Sequence, residues 1–321
     1  MSKPVKDVRV KEVKVYRYRC CGCTPALAGG ARERTFRYYP EGSSRADQSE
    51  RLKLFVAICW KLGLSHRGSS LILSSLEVLV SFMTVWRDVQ EQAGQIRRAK
   101  GWQKVRVLGL DGAAVLGWGD KRGVLVAVDL GTGKPVALGY IDERDPQAVR
   151  RWLEPLVVEH GVTVLVTDDL VSYRIVAARL QLGQQVCQFH VRRWVGKALK
   201  ELRETVPKEW LWMLDEIKGL IDFLPPDGSK HLHALWKQLP GRSSGRDQPR
   251  TPLEQLRDLL LRLGEHWPSY CTFQSEPDVP WTNNATERAI GRMKMRARTV
   301  RGYKSWTGMH NGLLLAATRL P

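Results

Sequence analysis

The feature that most constrains this fold is an ordered series of strand-like and helix-like segments between residues 105 and 189. The strand-like segments are short apolar runs, and the helix-like segments repeat apolar residues every three or four positions. In chain order the pattern predicts strands at 105–110, 123–130 and 135–141, a helix at 146–160, a strand at 162–166, a helix at 172–182 and a strand at 185–189. We therefore expect a three-strand antiparallel meander joined to parallel strands by right-handed helical crossovers.

This order of segments is that of an RNase H-like mixed sheet, so we predict an α/β domain for residues 101–321. Two local signals delimit its first helix, because Asp145 and Pro146 can open it and Gly161 can close it. From about 195 to 280 the sequence is rich in Leu and Trp and has no strand pattern. This stretch predicts an all-helical insertion into the sheet domain.

Residues 49–98 predict an all-α domain that precedes the sheet. Its apolar pattern breaks into three short helices, of which Ser65 can cap the second and Ser81 the third. Such an arrangement is typical of a helix-turn-helix DNA-binding domain, in which Thr84 and Arg87 would face the major groove. An ordinary three-helix packing unit explains the same pattern equally well.

Residues 1–48 form a basic N-terminal region with a cluster of cysteines. Cys20 and Cys23 have the spacing of one half of a zinc site, but four ligands are needed and no second Cys or His pair lies nearby. We expect at most a truncated zinc-binding segment here. The six cysteines do not form a secreted disulfide pattern, and no secretory or membrane-spanning segment is evident, so we expect a cytoplasmic, nucleoid-associated protein.

The charge of the chain points to a polyanionic partner. Fifty-one Lys and Arg residues against 33 Asp and Glu residues give a formal net charge of +18. Such an excess favours nucleic acid over a neutral small molecule. A basic protein with no polyanionic partner is the alternative that charge alone leaves open.

Several acidic residues are candidates for a catalytic metal site. Asp111 follows the first predicted strand, and Asp168 and Asp169 follow the fourth, which is its neighbour in the predicted sheet. Crowded carboxylates repel one another unless a divalent cation neutralises them, and such oxygen ligands select Mg²⁺ or Mn²⁺. Glu287, in an otherwise basic segment, can supply a third carboxylate. Taken singly, each aspartate also fits a turn or cap, and Glu287 also fits a capping box with Asn284.

Five motifs together have the pattern of a known protein family. They are LGLDG at 108–112, VTDD at 166–169, CQFH at 187–190, TNNATERAIG at 282–291 and RTVRGYKS at 298–305. With them the sequence resembles, over essentially its full length, bacterial insertion-sequence transposases with a DDE catalytic domain related to the Mutator-like group. The resemblance implies that Asp111, Asp168 and Glu287 bind the catalytic metals, with Asp168 preferred to Asp169 because Gly often occupies the following position in that family.

The resemblance also implies a C-x-x-H motif, formed here by Cys187 and His190. Their spacing suits one edge of a zinc site. We favour the alternative in which Cys187 is a small buried residue of the strand and His190 is hydrogen-bonded near the active site.

The implied reaction is strand cleavage and strand transfer at the ends of an insertion sequence. The expected cofactor is Mg²⁺ or Mn²⁺, and the expected partners are double-stranded DNA, at the element ends and the target, and a second copy of the chain in a synaptic homodimer. Arg288, Arg292 and Arg296 recur every four residues and predict a row of phosphate contacts. The alternatives are an RNase H-like nuclease or junction resolvase, and a catalytically inactive DNA-binding protein derived from a transposase.

Overall fold

The computed structural model describes residues 16–19, 35–38, 50–99, 104–117, 120–242, 248–300, 303 and 305–318. The predicted zinc pair Cys20 and Cys23 lies outside these residues. The chain divides into two compact units. The helical unit comprises Met1–Gly101, Leu116–Asp120 and Arg292–Pro321, and the sheet unit comprises Trp102–Val115 and Lys121–Gly291. The predicted domain limits at 1–48, 49–98 and 101–321 stay predictions.

The described elements follow one another in an order close to the predicted one. They are β1 (Tyr16–Arg19), β2 (Thr35–Tyr38), α1 (Glu50–Lys61), α2 (His66–Ser75), α3 (Phe82–Ala99), β3 (Val107–Gly117), β4 (Asp120–Asp129), β5 (Lys134–Gly139), α4 (Pro146–His160), β6 (Val164–Thr167), α5 (Val171–Arg179), β7 (Gly183–Val186), α6 (Gln188–Arg203), α7 (Leu211–Phe223), α8 (Gly228–Gln238), α9 (Pro252–Ser275), α10 (Asn284–Thr299) and α11 (Trp306–Ala317), with a 3-10 turn at Lys208–Trp210.

The helical unit contains the antiparallel pair β1–β2 and packs α3 against α1, α2 and α11. Ser65 accepts a hydrogen bond from the Gly68 amide at 3.0 Å, and Ser81 accepts one from the Thr84 amide at 3.1 Å, which confirms both predicted helix caps. Arg87 is exposed, whereas Thr84 is half-buried and its hydroxyl lies 3.0 Å from that of Ser81. The helix-turn-helix function stays a prediction.

The sheet unit has five strands in the order β5-β4-β3-β6-β7. Strand β4 pairs with β5 antiparallel, whereas β6 pairs with both β3 and β7 in parallel. This mixed sheet confirms the predicted antiparallel pairing of the second and third strands and the predicted parallel strands that follow. The cap signals of α4 are also confirmed, because Asp145 accepts hydrogen bonds from the amides of the first turn and Gly161 closes the helix with a φ of +69°.

Two strand boundaries differ from the prediction. Strand β3 runs from Val107 to Gly117, so Asp111 lies within it rather than at its end, because β3 continues beside β4 after β6 has ended at Thr167. Strand β7 ends at Val186, and Cys187 therefore lies outside it. The Cys187 carbonyl accepts bonds from the amides of His190 and Val191, which starts α6 and ends the strand.

Helices α6 to α9 form a second hydrophobic core in the sheet unit. The described residues from 188 to 300 contain helices and no strand, as expected for the all-helical insertion. Within the described part of the chain, no helix is both long enough and apolar enough to cross a membrane.

Candidate metal centre

Asp111 is a half-buried residue of strand β3. It follows Leu110, whose side chain is fully buried in the sheet core, and its carboxylate accepts a hydrogen bond from the Gly112 amide at 2.8 Å. Burial, then the negative charges of Asp168 and Glu143, raise the pKa of Asp111 to about 6. The structure therefore brings Asp111 and Asp168 close enough for their charges to interact.

The two aspartates after β6 have different surroundings. Burial raises the pKa of Asp168 to about 6, although its carboxylate accepts a bond from the Leu170 amide at 3.3 Å. The side chain of Asp169 is only 6 % exposed and is paired with Arg262 at 2.6 Å and with Arg174 at 3.8 Å. Asp169 is thus already neutralised by arginines, whereas Asp168 interacts with the other acids of the centre.

Glu143 is an acidic residue of this centre that the sequence did not reveal. It lies in the loop between β5 and α4 and accepts a hydrogen bond from the Tyr173 hydroxyl at 2.8 Å. Its carboxylate lies against Gly112, where any Cβ would overlap it. Its charge contributes to the raised pKa of both Asp111 and Asp168, and burial together with Glu143 also raises the pKa of Tyr173. The sequence signal that could have indicated Glu143 is the run of charged residues in the loop between β5 and α4.

The first turn of α10 is held against β3 by its motif residues. The Asn283 side chain donates to the Leu110 carbonyl at 2.8 Å, and both Asn283 and Thr286 are buried. A Cβ at Gly109 would lie 2.5 Å from Asn283 Oδ1 and would overlap the Thr286 hydroxyl. Glycine at 109 is therefore required for this close approach, which fixes Glu287 in the same turn.

Glu287 lies beside the C-x-x-H motif. Its Oε1 is 3.9 Å from His190 Nδ1. The Cys187 sulfur is fully buried, accepts a bond from the Asn283 amide at 3.3 Å, and lies with these two atoms in a group whose members are all within 4.8 Å of one another. The pKa of His190 is raised, and its interaction with the Cys187 side chain is the largest cause. Burial acts in the opposite direction, whereas the charges of Glu287 and Asp168 raise the pKa further. His190 therefore lies between Glu287 and the aspartates.

The predicted acids thus form two neighbouring groups in the sheet unit. Asp111, Asp168 and Glu143 share one electrostatic environment, and Glu287 contacts His190. Carboxylate oxygens are the ligands that Mg²⁺ and Mn²⁺ prefer, and buried acids with raised pKa values are those whose repulsion a cation relieves. Asp111, Asp168 and Glu143 therefore offer the oxygen ligands that a divalent cation prefers, and Cys187, His190 and Glu287 form a group of described residues whose ligand atoms lie within 4.8 Å of one another.

The prediction that Arg288, Arg292 and Arg296 form a row of phosphate contacts is wrong for Arg296. Arg296 is only 3 % exposed, donates to the carbonyls of Gly63 and Leu64, and stacks over Trp60 at 4.2 Å. These carbonyls lie in the loop between α1 and α2, where the guanidinium satisfies two backbone acceptors.

The other two arginines of the row also differ from each other. Arg292 is half-buried and donates to the Ala317 carbonyl at 3.0 Å. Arg288 is exposed and remains available to a phosphate. The spacing of four therefore does not correspond to three exposed arginines.

Comparisons with known proteins bear on the centre just described. No curated protein sequence was found to match the chain. The catalytic core domain of BIV integrase is 17 % identical with a TM-score of 0.22, covering 50 % of this chain and 97 % of its own. The Drosophila P element transposase, in a strand transfer complex, is 12 % identical with a TM-score of 0.33, covering 86 % of this chain and 80 % of its own. Both TM-scores are too low to support an argument.

A family model gives a more informative match. The model described as "Transposase IS66 family" matches residues 125–311, which include Asp168, the C-x-x-H motif and Glu287. Asp111 lies outside the matched segment, and a relation to the Mutator-like group stays a prediction. Because the matched segment spans more than half of the 321 residues, the chain belongs to the IS66 family of transposases.

Proposed function

We propose that this transposase catalyses metal-dependent strand cleavage and strand transfer at the ends of an insertion sequence, with Asp111, Asp168 and Glu287 as its catalytic carboxylates. The observation that carries the proposal is the parallel register of β3 and β6, in which Gly109 lies opposite Val166, so that Asp111 and Asp168 each follow two residues later. The raised pKa values of both carboxylates, about 6, agree with their proximity. A protein keeps such a costly pair where a bound cation relieves it.

The side chains divide the chemical work. Asp111 and Asp168 would hold divalent cations through their oxygens, and Glu287 would add a carboxylate from the first turn of α10. When bound, Mg²⁺ or Mn²⁺ supplies Lewis-acid stabilisation of the attacking and leaving oxygens of an in-line displacement. Tyr173 fixes the carboxylate of Glu143 beside this pair through its hydroxyl.

Double-stranded DNA is the proposed partner, at both element ends and target. The net charge of +18 favours it, and we propose that Arg288, which is exposed next to Glu287, contacts a phosphate. Thr84 and Arg87 in α3 are proposed to read the element ends. Two ends must meet during transposition, so we propose a homodimer in the synaptic complex.

The alternatives from the sequence make different predictions. A junction resolvase would cut branched DNA without preference for the element ends, and an inactive DNA-binding protein would not cut at all. The IS66 family match favours the transposase.

Strand cleavage on a labelled DNA that carries the element end tests the proposal. Wild-type protein is expected to nick at the element boundary in Mg²⁺ and not in EDTA. Asp111→Asn, Asp168→Asn and Glu287→Gln should each lower the rate at least about 100-fold while binding the DNA normally. Asp222→Asn, an exposed acid in α7, is the matched control and should cleave like wild type. Cleavage at wild-type rate by Asp111→Asn would refute the catalytic assignment.

A further inference from the structure

Among the residues that the structure describes, one buried side-chain atom of His190 and one of Glu287 have no hydrogen-bond partner. They are His190 Nδ1 and Glu287 Oε1, and they face each other at 3.9 Å. A buried polar atom without a partner costs about 1–3 kcal/mol, so such atoms require an explanation. At 3.9 Å the two atoms form only a loose ion pair, and a cation between them would satisfy both.

The third atom at this point is a sulfur. Cys187 Sγ, one ring nitrogen of His190 and one carboxylate oxygen of Glu287 all lie within 4.8 Å of one another, and Cys187 is fully buried. It also accepts the Asn283 amide at 3.3 Å, a bond of the kind that stabilises a metal-bound thiolate. One thiolate, one imidazole and one carboxylate together form a ligand set typical of zinc and poor for magnesium.

The backbone holds all three ligands in place. Cys187 precedes α6, His190 lies in the first turn of α6, and Glu287 lies in the first turn of α10. The hydrogen bonds that Asn283 makes with Cys187 and with β3 tie these two helix ends together. Tetrahedral zinc with bonds of about 2.0–2.3 Å needs ligand atoms roughly 3.3–3.8 Å apart. The three ligand atoms lie within 4.8 Å of one another, so they would have to approach by up to about 1 Å on binding.

We propose that Cys187, His190 and Glu287 form a binding site for a borderline divalent cation of the Zn²⁺ type, distinct from the Mg²⁺ position at Asp111 and Asp168. Three protein ligands leave a fourth position open to water or to a phosphate oxygen of DNA. Such an ion would be held by one carboxylate oxygen of Glu287. Binding at this site does not depend on the proposed catalysis.

Cobalt substitution tests this site without any DNA or activity measurement. Protein in which Cys20, Cys21 and Cys23 are replaced by Ser, so that the N-terminal cysteines cannot contribute, is titrated with Co²⁺ under anaerobic conditions. We expect one equivalent of Co²⁺ to bind with a thiolate-to-cobalt charge-transfer band and the visible bands of tetrahedral cobalt. One equivalent of Zn²⁺ should abolish the spectrum, whereas millimolar Mg²⁺ should not.

Three variants assign the ligands. In that same background, Cys187→Ser should abolish the charge-transfer band, and His190→Ala and Glu287→Gln should each weaken Co²⁺ binding more than about 10-fold, since even changes outside the ligand shell cost 10–100-fold. Cys271→Ser, which removes a half-buried free thiol elsewhere in the sheet unit, is the matched control and should leave the spectrum unchanged.

Circular dichroism checks the folding of each variant. If Cys187→Ser does not fold, the His190→Ala and Glu287→Gln variants still test the site, because they retain the Cys187 thiol. The proposal would be overturned by any of three results: the parent protein shows no charge-transfer band, the band persists in Cys187→Ser, or both other variants bind Co²⁺ with unchanged affinity. Loss of DNA cleavage with intact cobalt binding would refute only the proposed catalysis.

Discussion

Replacement of Asp111 by Asn should stabilise the metal-free protein near neutral pH. Its pKa rises from 3.8 to about 6 in the folded state, because burial and the charges of Asp168 and Glu143 disfavour the carboxylate. A group whose folded pKa is raised binds its proton more tightly when folded, so stability is lost as pH rises from about 4 through about 6. At pH 7 the ionised carboxylate is therefore a cost to folding, which Asn removes.

The size of the effect follows from the shift. Two pKa units correspond to a ceiling of about 3 kcal/mol, and partial exposure of Asp111 to solvent reduces this to about 1–2 kcal/mol. Asn can still accept the bond from the Gly112 amide, so that contact is kept. The repulsion from Asp168 and Glu143 is removed.

Urea unfolding in EDTA at pH 7 and at pH 4 measures this difference. Asp111→Asn should exceed wild type at pH 7 by about 1–2 kcal/mol, and the gap should close by pH 4. Added Mg²⁺ should stabilise wild type and leave the variant unchanged. Asp222→Asn serves as the control for the same chemical change at an exposed site. A variant less stable than wild type at pH 7, or a gap independent of pH, would refute the reasoning.

Three further predictions concern the packing of the centre. Gly109→Ala should abolish Mg²⁺-dependent cleavage and lower the free energy of unfolding by about 1–3 kcal/mol, because its Cβ would displace Asn283 and Thr286 from β3. Normal cleavage by this variant would exclude a role for the contact between β3 and the start of α10. Asp169→Asn should lower the free energy of unfolding by about 1–3 kcal/mol in urea, because it leaves Arg262 and Arg174 without their partner. Asp168→Asn should not destabilise the fold. Equal effects of the two variants would contradict the structural role of Asp169 and the metal-binding role of Asp168. Glu143→Gln should lower the pKa of both Asp111 and Asp168 in an NMR titration without metal, and unchanged titrations would show that Glu143 lies too far away.

The sheet and its helix caps could be predicted because their signals are local. Alternating apolar runs predict strands, and the Asp-Pro pair with a glycine 15 residues later predicts both ends of α4. The convergence of Asp111 and Asp168 also follows from strand order, since the first and fourth strands of the sheet are neighbours.

The missed features depend on contacts between distant segments. Glu143 lies in a loop with several charged residues, and it differs from them in its contacts with Gly112 and Tyr173. Arg296 has the same spacing as its exposed neighbour Arg288, but it lies against Trp60, more than 200 residues earlier in the chain. No local pattern contains either contact.

The most direct test of the central claim is strand transfer from a pre-cut element end. DNA with a free 3′-hydroxyl at the element end is incubated with target DNA, Mg²⁺ and either wild-type protein or Asp111→Asn, and the joined product is counted. Wild type should produce joined strands, and Asp111→Asn should produce at least about 100-fold fewer at equal DNA occupancy. Equal joining by the two proteins, or none by wild type with both ends bound, would contradict the assignment of Asp111, Asp168 and Glu287 as a transposase metal centre.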